Sequence, residues 1–311
     1  MLFGKEPTGF IFDVKRYSIH DGPGIRTTFF FKGCPLSCWW CHNPEGISPL
    51  PAPTYHGNRC IACGRCVREC PRCARTFGPN GIILDSTKCV ECRICEQVCP
   101  TRAIEFVGKE MTVEELIRLA KKDLAFYDES GGGVTFSGGE PLMQAEFLIA
   151  CLKALRSQEI SAAVDTSGFC REEDILLAAE EADFFLFDIK LIDPKLHEYY
   201  TGVGNERILA NLRSLDKKLV ERGRGSINIR IPLIPGVNNS PENLEAVIAC
   251  VLSLRSVSGV NILPYHSIGS GKYKNLGLEF KMGRTQPPSD DEVSQALSLF
   301  ASRGIHAVKG G

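Results

Sequence analysis

The 311-residue chain carries almost no net charge: 36 Lys plus Arg stand against 37 Asp plus Glu, leaving -1 at pH 7. No overall field therefore draws it onto nucleic acid or an anionic membrane. No apolar run approaches the roughly 18 residues of a spanning helix. The opening MLFGKEPTGF also lacks a basic stretch leading into an apolar core and a small-residue cleavage site. These absences predict a cytoplasmic protein with no nucleic-acid and no membrane partner. Its partners must be read from sites. The length suits one large α/β domain or two smaller ones.

Cysteine is in excess. Fifteen are many for a reducing compartment, where such density means metal ligation or redox chemistry more often than disulfides. Eleven fall in three tight groups between Cys34 and Cys99, while Cys73, Cys151, Cys170 and Cys250 stand apart. Neighbours two residues apart gather around a metal or cluster more naturally than they bond to each other. Cys151, Cys170 and Cys250 read as buried small hydrophobes.

Periodicity gives the scaffold. TTFFFK at 27–32 reads as a strand, and further strands are predicted at 133–137, 161–165, 184–189, 227–232 and 260–263. Helices are predicted at 112–127, 144–158, 171–182, 207–222, 241–257 and 290–303. Thr112 with Glu115 and Ser289 with Glu292 make capping boxes, and Ser240 sets Pro241 at a first helical position. Six strands each followed by a helix predict an α/β fold, a partial (β/α)6 TIM-like barrel. Residues 50–105 break the alternation, opening Pro-rich and carrying eight clustered cysteines. The expected division is a core of 1–49 with 106–311, interrupted by an inserted α+β module at 50–105.

Cys34-x-x-x-Cys38-x-x-Cys41 follows the first barrel strand. Three thiolates on one loop suit a four-iron cluster with one iron left open to a small molecule. A zinc knuckle needs a fourth Cys or His, and His42, adjacent to Cys41, is awkwardly placed to supply it. In the insert, Cys60, Cys63, Cys66 and Cys70-Pro71 repeat as Cys89, Cys92, Cys95 and Cys99-Pro100. Each is the bacterial ferredoxin run, whose fourth Cys ligates the other cluster. One cluster then takes Cys60, Cys63, Cys66 and Cys99, the other Cys89, Cys92, Cys95 and Cys70. Two zinc sites are the alternative, and Cys73 is a second candidate for the place of Cys70.

The first cysteine spacing, with Trp40 just before the third Cys, resembles the radical S-adenosylmethionine (SAM) superfamily. HDGPGIRTTFF from His20, WCHNPEG from Trp40 and GGGVTFSGGEP from Gly131 together resemble its glycyl-radical-enzyme activating branch, of the pyruvate formate-lyase activating type with a two-cluster insert. The resemblance spans nearly the whole chain in order. It implies that the open iron chelates SAM and that reductive cleavage yields methionine and a 5′-deoxyadenosyl radical. That radical takes a Cα hydrogen from a glycine of a partner glycyl radical enzyme. It implies a radical SAM fold with a ferredoxin-like insert, three [4Fe-4S] clusters, and an external reductant such as flavodoxin or ferredoxin.

The same resemblance assigns residues. Cys34, Cys38 and Cys41 are catalytic, with Trp40, Cys41 and His42 beside SAM. Gly138, Gly139 and Glu140 form the segment approaching the methionine amino group. Asp165 with Thr166, and Asp188, Ile189 and Lys190, hold the SAM ribose and carboxylate, with a monovalent cation near Asp165 and Asp188. His266 lies on the adenosine side. Asp21 and Arg230 face the partner's glycine loop. Outside the resemblance, the glycine pairs read as turns and the Asp–Lys pairs as surface ion pairs. A radical SAM enzyme acting on a small molecule or peptide, and a non-catalytic ferredoxin-like electron carrier, are the competing functions.

Overall fold

The computed structural model describes residues 6–79 and 81–310; residues 1–5, 80 and 311, which include the outermost ends of the expected core, lie outside the described residues. β1 (Thr8–Ser18) and β2 (Arg26–Phe31) run antiparallel. The insert contributes β3 (Ala52–Tyr55), α1 (Arg65–Arg68), β4 (Arg75–Gly78), β5 (Gly81–Leu84), α2 (Ile94–Gln97) and β6 (Ile104–Val107), with β3 paired to β6 and β4 to β5. The chain then returns through β7 (Lys109–Thr112), α3 (Val113–Ala120) and α4 (Leu124–Ser130). Strands and helices alternate from there: β8 (Gly133–Gly138), α5 (Ala145–Arg156), β9 (Ala162–Thr166), α6 (Glu172–Glu181), β10 (Phe184–Asp188), α7 (Pro194–Thr201) and α8 (Glu206–Arg222). They continue with β11 (Ser226–Leu233), α9 (Pro241–Leu252), β12 (Val257–Pro264), α10 (Ser270–Leu276), α11 (Asp290–Ser302) and β13 (Ala307–Lys309).

These strands form one nine-stranded sheet, ordered β13-β12-β11-β10-β9-β8-β2-β1-β7. From β2 to β13 every neighbouring pair is parallel. This is the partial barrel-like parallel sheet that the six expected strands required, with β13 as a seventh parallel member. Both faces of such a sheet are covered, so its strands read as near-continuous apolar runs: Phe29, Phe31, Phe136, Val164, Phe185, Phe187, Ile229 and Ile231 are all fully buried. Burying each such side chain is worth about 1.5–3 kcal/mol. No helix among the described residues is long and apolar enough to cross a membrane.

Several elements depart from the sequence expectations, β7 and β13 having had no counterpart among the predicted strands. β1 was not foreseen, because its apolar first half gives way to the exposed Asp13–Tyr17 stretch and the alternation fails. The helix expected over 112–127 is interrupted by a 3-10 turn at Lys121–Asp123, where buried Asp123 accepts from Arg16 and Thr27. α7 and α10 lie in segments the periodicity passed over. For α7 the end signals were present, with Asp193 accepting from Leu196 N–H, Pro194 at the first position and Gly202 closing the helix at φ +84°. Both capping boxes and the Ser240 cap form as expected.

Candidate active site at the strand ends

The cysteine loop leaves β2 and is tied down by α7 and α10. Ser37 N–H donates to Thr201 O at 2.7 Å and Trp39 N–H to Tyr200 O at 3.1 Å, so the last carbonyls of α7 receive the loop. Tyr273 of α10 donates its hydroxyl proton to Cys41 O at 3.1 Å. Trp40 is buried with Leu191, Ile234, Tyr265 and Met282. The loop is thereby fixed without using the three thiols, which line a cavity of about 480 Å³ at the carboxyl ends of the parallel strands, where active sites of such sheets lie. Burial pushes the Cys38 thiol up to about 12 and raises those of Cys34 and Cys41 as well. Buried thiols of this kind become thiolates only when a metal takes the charge.

A chain of charged groups crosses the cavity floor. Ser137 donates to Asp165 Oδ2 at 2.6 Å, Arg230 Nη1 lies 3.2 Å from the same oxygen, and Arg230 Nε lies 3.9 Å from Asp188 Oδ1. Lys190 Nζ donates to Asp188 Oδ2 at 2.7 Å. Burial pushes the Asp165 carboxyl up to about 6, with Arg230 pulling it back. Lys190 is raised, because the attraction of Asp188 and the thiols outweighs burial. At the rim the rings of His42 and His266 stack with centroids 4.0 Å apart, and His42 Nε2 sits 3.1 Å from His266 O. Burial lowers His42 to about 4, leaving a neutral ring.

Within this cavity several buried polar atoms have no hydrogen-bond partner among the described residues: Asp188 Oδ1, Tyr265 OH and His266 Nδ1, together with Arg230 Nε and Nη1, whose contacts to Asp188 and Asp165 are ionic only. Buried polar groups are rarely left unpaired, and this set complements a ligand carrying both amino and carboxylate groups and a polar ring system. Trp40, His42, Gly138, Gly139, Asp165, Thr166, Asp188, Lys190, Asp21, Arg230 and His266 all line the cavity, as sequence reasoning required. His20, Ser167 and Tyr265 line it too and were missed. Each adjoins a residue singled out in the sequence, and that adjacency was the available signal.

The side chains of Glu140 and Ile189 do not line the cavity. Glu140 is fully buried and does not line the cavity; it accepts from Thr166 Oγ1 at 2.7 Å, Ser167 Oγ at 2.6 Å, Ser167 N–H at 2.8 Å and Leu142 N–H at 3.2 Å. Burial raises its carboxyl while these donors pull it down, and its work is to clamp the end of β8 to the end of β9. Ile189 is a core side chain, 1% exposed, whose N–H donates to Arg230 O. The glycines also have a second duty. A Cβ on Gly139 would stand 2.4 Å from Gly33 O, and one on Gly138, at φ +107°, 2.5 Å from Phe31 N. Their missing side chains let the cysteine loop pack on the β8 loop.

Among residues 50–105, Cys60, Cys63, Cys66 and Cys99 line one cavity and Cys70, Cys89, Cys92 and Cys95 another. Cys73 is exposed and lines neither. Among the described residues no three His, Cys, Asp or Glu side chains converge as the ligands of one ion would.

Residues 60–247 match the family described as the Radical SAM superfamily. The chain is 39% identical over 296 residues to the choline trimethylamine-lyase activating enzyme of Oleidesulfovibrio alaskensis, covering 93% of this chain and 94% of that one. It is 41% identical over 303 residues to the trans-4-hydroxy-L-proline dehydratase activating enzyme of Clostridioides difficile, covering 97% and 99%. Among solved structures, Streptococcus suis SuiB bound to the precursor peptide SuiA matches with a TM-score of 0.50 at 13% identity, over 65% of this chain and 43% of that one. That likeness concerns the fold alone.

Proposed function

Because the chain belongs to the radical SAM superfamily, and within it to the activating enzymes of glycyl radical enzymes, we propose that the strand-end cavity brings a glycine loop of a partner enzyme against SAM. Relatives of similar identity are named for different partner enzymes, so the common chemistry carries over and a particular partner does not. When bound, a [4Fe-4S] cluster and SAM supply reductive cleavage to methionine and a 5′-deoxyadenosyl radical, which takes a glycine Cα hydrogen. The observation that carries the reading is the set of buried atoms on Asp188, Arg230, Tyr265 and His266 that have no hydrogen-bond partner among the described residues, in the same cavity as three thiols.

Cys34, Cys38 and Cys41 hold the cluster and leave one iron free for SAM. Lys190 and Asp188 grip its polar end, Gly138 and Gly139 offer backbone at close range, and Thr166 lines the same wall. His266, stacked on His42, borders the adenosine, and buried Trp40 keeps water from the cluster. Asp188 Oδ1 is the oxygen open to a monovalent cation, with Arg230 holding Asp165 beside it. Asp21, whose carboxylate accepts from Thr28 Oγ1 at 2.8 Å, meets the incoming loop together with Arg230. Residues 50–105 form a ferredoxin-like module with two further [4Fe-4S] clusters, fed by a flavodoxin- or ferredoxin-type reductant, and 1–49 with 106–311 form the core.

The test is to mix the reduced, cluster-loaded protein with SAM and a candidate glycyl radical enzyme, without oxygen. A glycine-centred doublet in the electron paramagnetic resonance spectrum is expected. If 5′-deoxyadenosine forms only with a small molecule and never with a protein partner, the reading fails.

A further inference from the structure

Residues 60–75 and 89–104 form a twofold repeat in cysteine spacing and backbone, and the two halves differ in the residue that opens the following strand. Cys60 to Ala74 and Cys89 to Ala103 align at all four cysteines, at Pro71 with Pro100 and at Ala74 with Ala103. The φ angles pair up: +53° and +52° at Ala62 and Glu91, +69° and +60° at Gly64 and Arg93, +48° and +51° at Cys73 and Arg102. The N–H groups of Ala74 and Ala103 donate to the Cys70 and Cys99 sulfurs at 3.3 and 3.1 Å. The next residue opens a strand in each half, Arg75 in β4 and Ile104 in β6. Both are buried, 3% and 1% exposed, and each lines one cavity: Ile104 that of Cys60, Cys63, Cys66 and Cys99, Arg75 the other.

Arg75 is a buried cation that faces sulfur. Its Nη2 donates to Cys95 Sγ at 3.8 Å, its Nε has no partner, and among the described residues no carboxylate pairs with it. An uncompensated buried guanidinium costs several kcal/mol, so thiolates are the counter-charge this site provides.

We propose that Arg75 sets the two insert clusters at different reduction potentials, raising the one on Cys70, Cys89, Cys92 and Cys95 above the one on Cys60, Cys63, Cys66 and Cys99. This rests on the three-cluster reading above. A cluster on four thiolates carries net negative charge that grows by one on reduction. A fixed positive charge and an N–H···S bond therefore stabilise its reduced form more than its oxidised form. Ile104 gives the other cluster neither. One electron from a low-potential one-electron carrier, itself oxidised by one, comes to rest on the Arg75 side.

The test is a redox titration of the reconstituted full chain followed by electron paramagnetic resonance, with iron content measured alongside. Arg75→Ile copies the residue found in the other half, and Arg75→Lys keeps the charge. Wild type should show two separate insert potentials. Arg75→Ile should bring the higher down toward the lower, and Arg75→Lys should retain most of the separation. Potentials that ignore Arg75→Ile, or respond alike to Ile and Lys, overturn the assignment with the clusters intact. If Arg75→Ile loads no second cluster, the Lys variant decides: separation kept supports the charge role, separation lost overturns it. About four irons per wild-type chain, one cluster's worth, would remove the premise itself.

Discussion

The Arg230 guanidinium and the Asp165 carboxylate meet at 3.2 Å in a buried strand-end cavity, and that carboxyl still titrates at about 6 because burial outweighs the pairing. Raised above its ordinary value of 3.8, Asp165 contributes stability that is fully present below about pH 4 and lost as pH rises through about 6. Function runs the other way, because the charged form is the one that binds. SAM affinity should fall as pH drops through about 6. Arg230→Gln removes the attraction, pushes Asp165 higher and should move that acid limb up by about one unit with at least about tenfold weaker SAM binding at neutral pH. Calorimetric titration across pH 5–8 reads both, and an unmoved limb would contradict the pairing.

Glu140 should matter through what it holds. Glu140→Ala leaves the Thr166 and Ser167 donors buried without their acceptor, at a cost of about 3 kcal/mol in unfolding free energy. Glu140→Gln keeps part of the set and should cost less. Denaturant unfolding of the two variants distinguishes this clamp from a cofactor ligand, for which stability would be unaffected.

Asp123 gives a pH dependence of opposite sign. Hydrogen bonding from Arg16, then from Thr27, holds its carboxyl below the ordinary value against the effect of burial. Its contribution is therefore present above about pH 4 and lost as pH falls through the lowered value. Asp123→Asn should lower Tm at pH 7, and the gap to wild type should close in acid. A gap that widened in acid would contradict the pairing.

The cysteines divide by cavity. Cys38→Ala should abolish 5′-deoxyadenosine formation, since the open-iron cluster loses one of three ligands. Cys70→Ser should cost about four irons per chain, whereas Cys73→Ser should cost none because Cys73 lines neither insert cavity. Iron and sulfide analysis with the visible spectrum decides, and equal losses at 70 and 73 would restore Cys73 as a ligand.

The parallel core was legible because strands buried on both faces carry long β-branched and aromatic runs, as in RTTFFF and FFLFD. Cysteine spacing is a local property, and it led to the crossed pairing of the two insert runs before any coordinates. β1 escaped because half of it is exposed and charged, and α7 and α10 because they are short and their apolar contacts are made with the cysteine loop rather than the main core. A motif gives order along the chain, while the direction of each side chain, as at Glu140 and Ile189, depends on what packs around it.

The sequence by itself determined the thiol groupings, the alternation of core strands with helices and the helix caps, since each depends on residues a few positions apart. Tertiary structure alone decided that Arg230 stands between Asp165 and Asp188, that Glu140 clamps two strands, and that Arg75 and Ile104 occupy equivalent places beside different cavities. Those relations join residues distant in the chain, and burial converts them from surface charges of little consequence into groups that must be compensated.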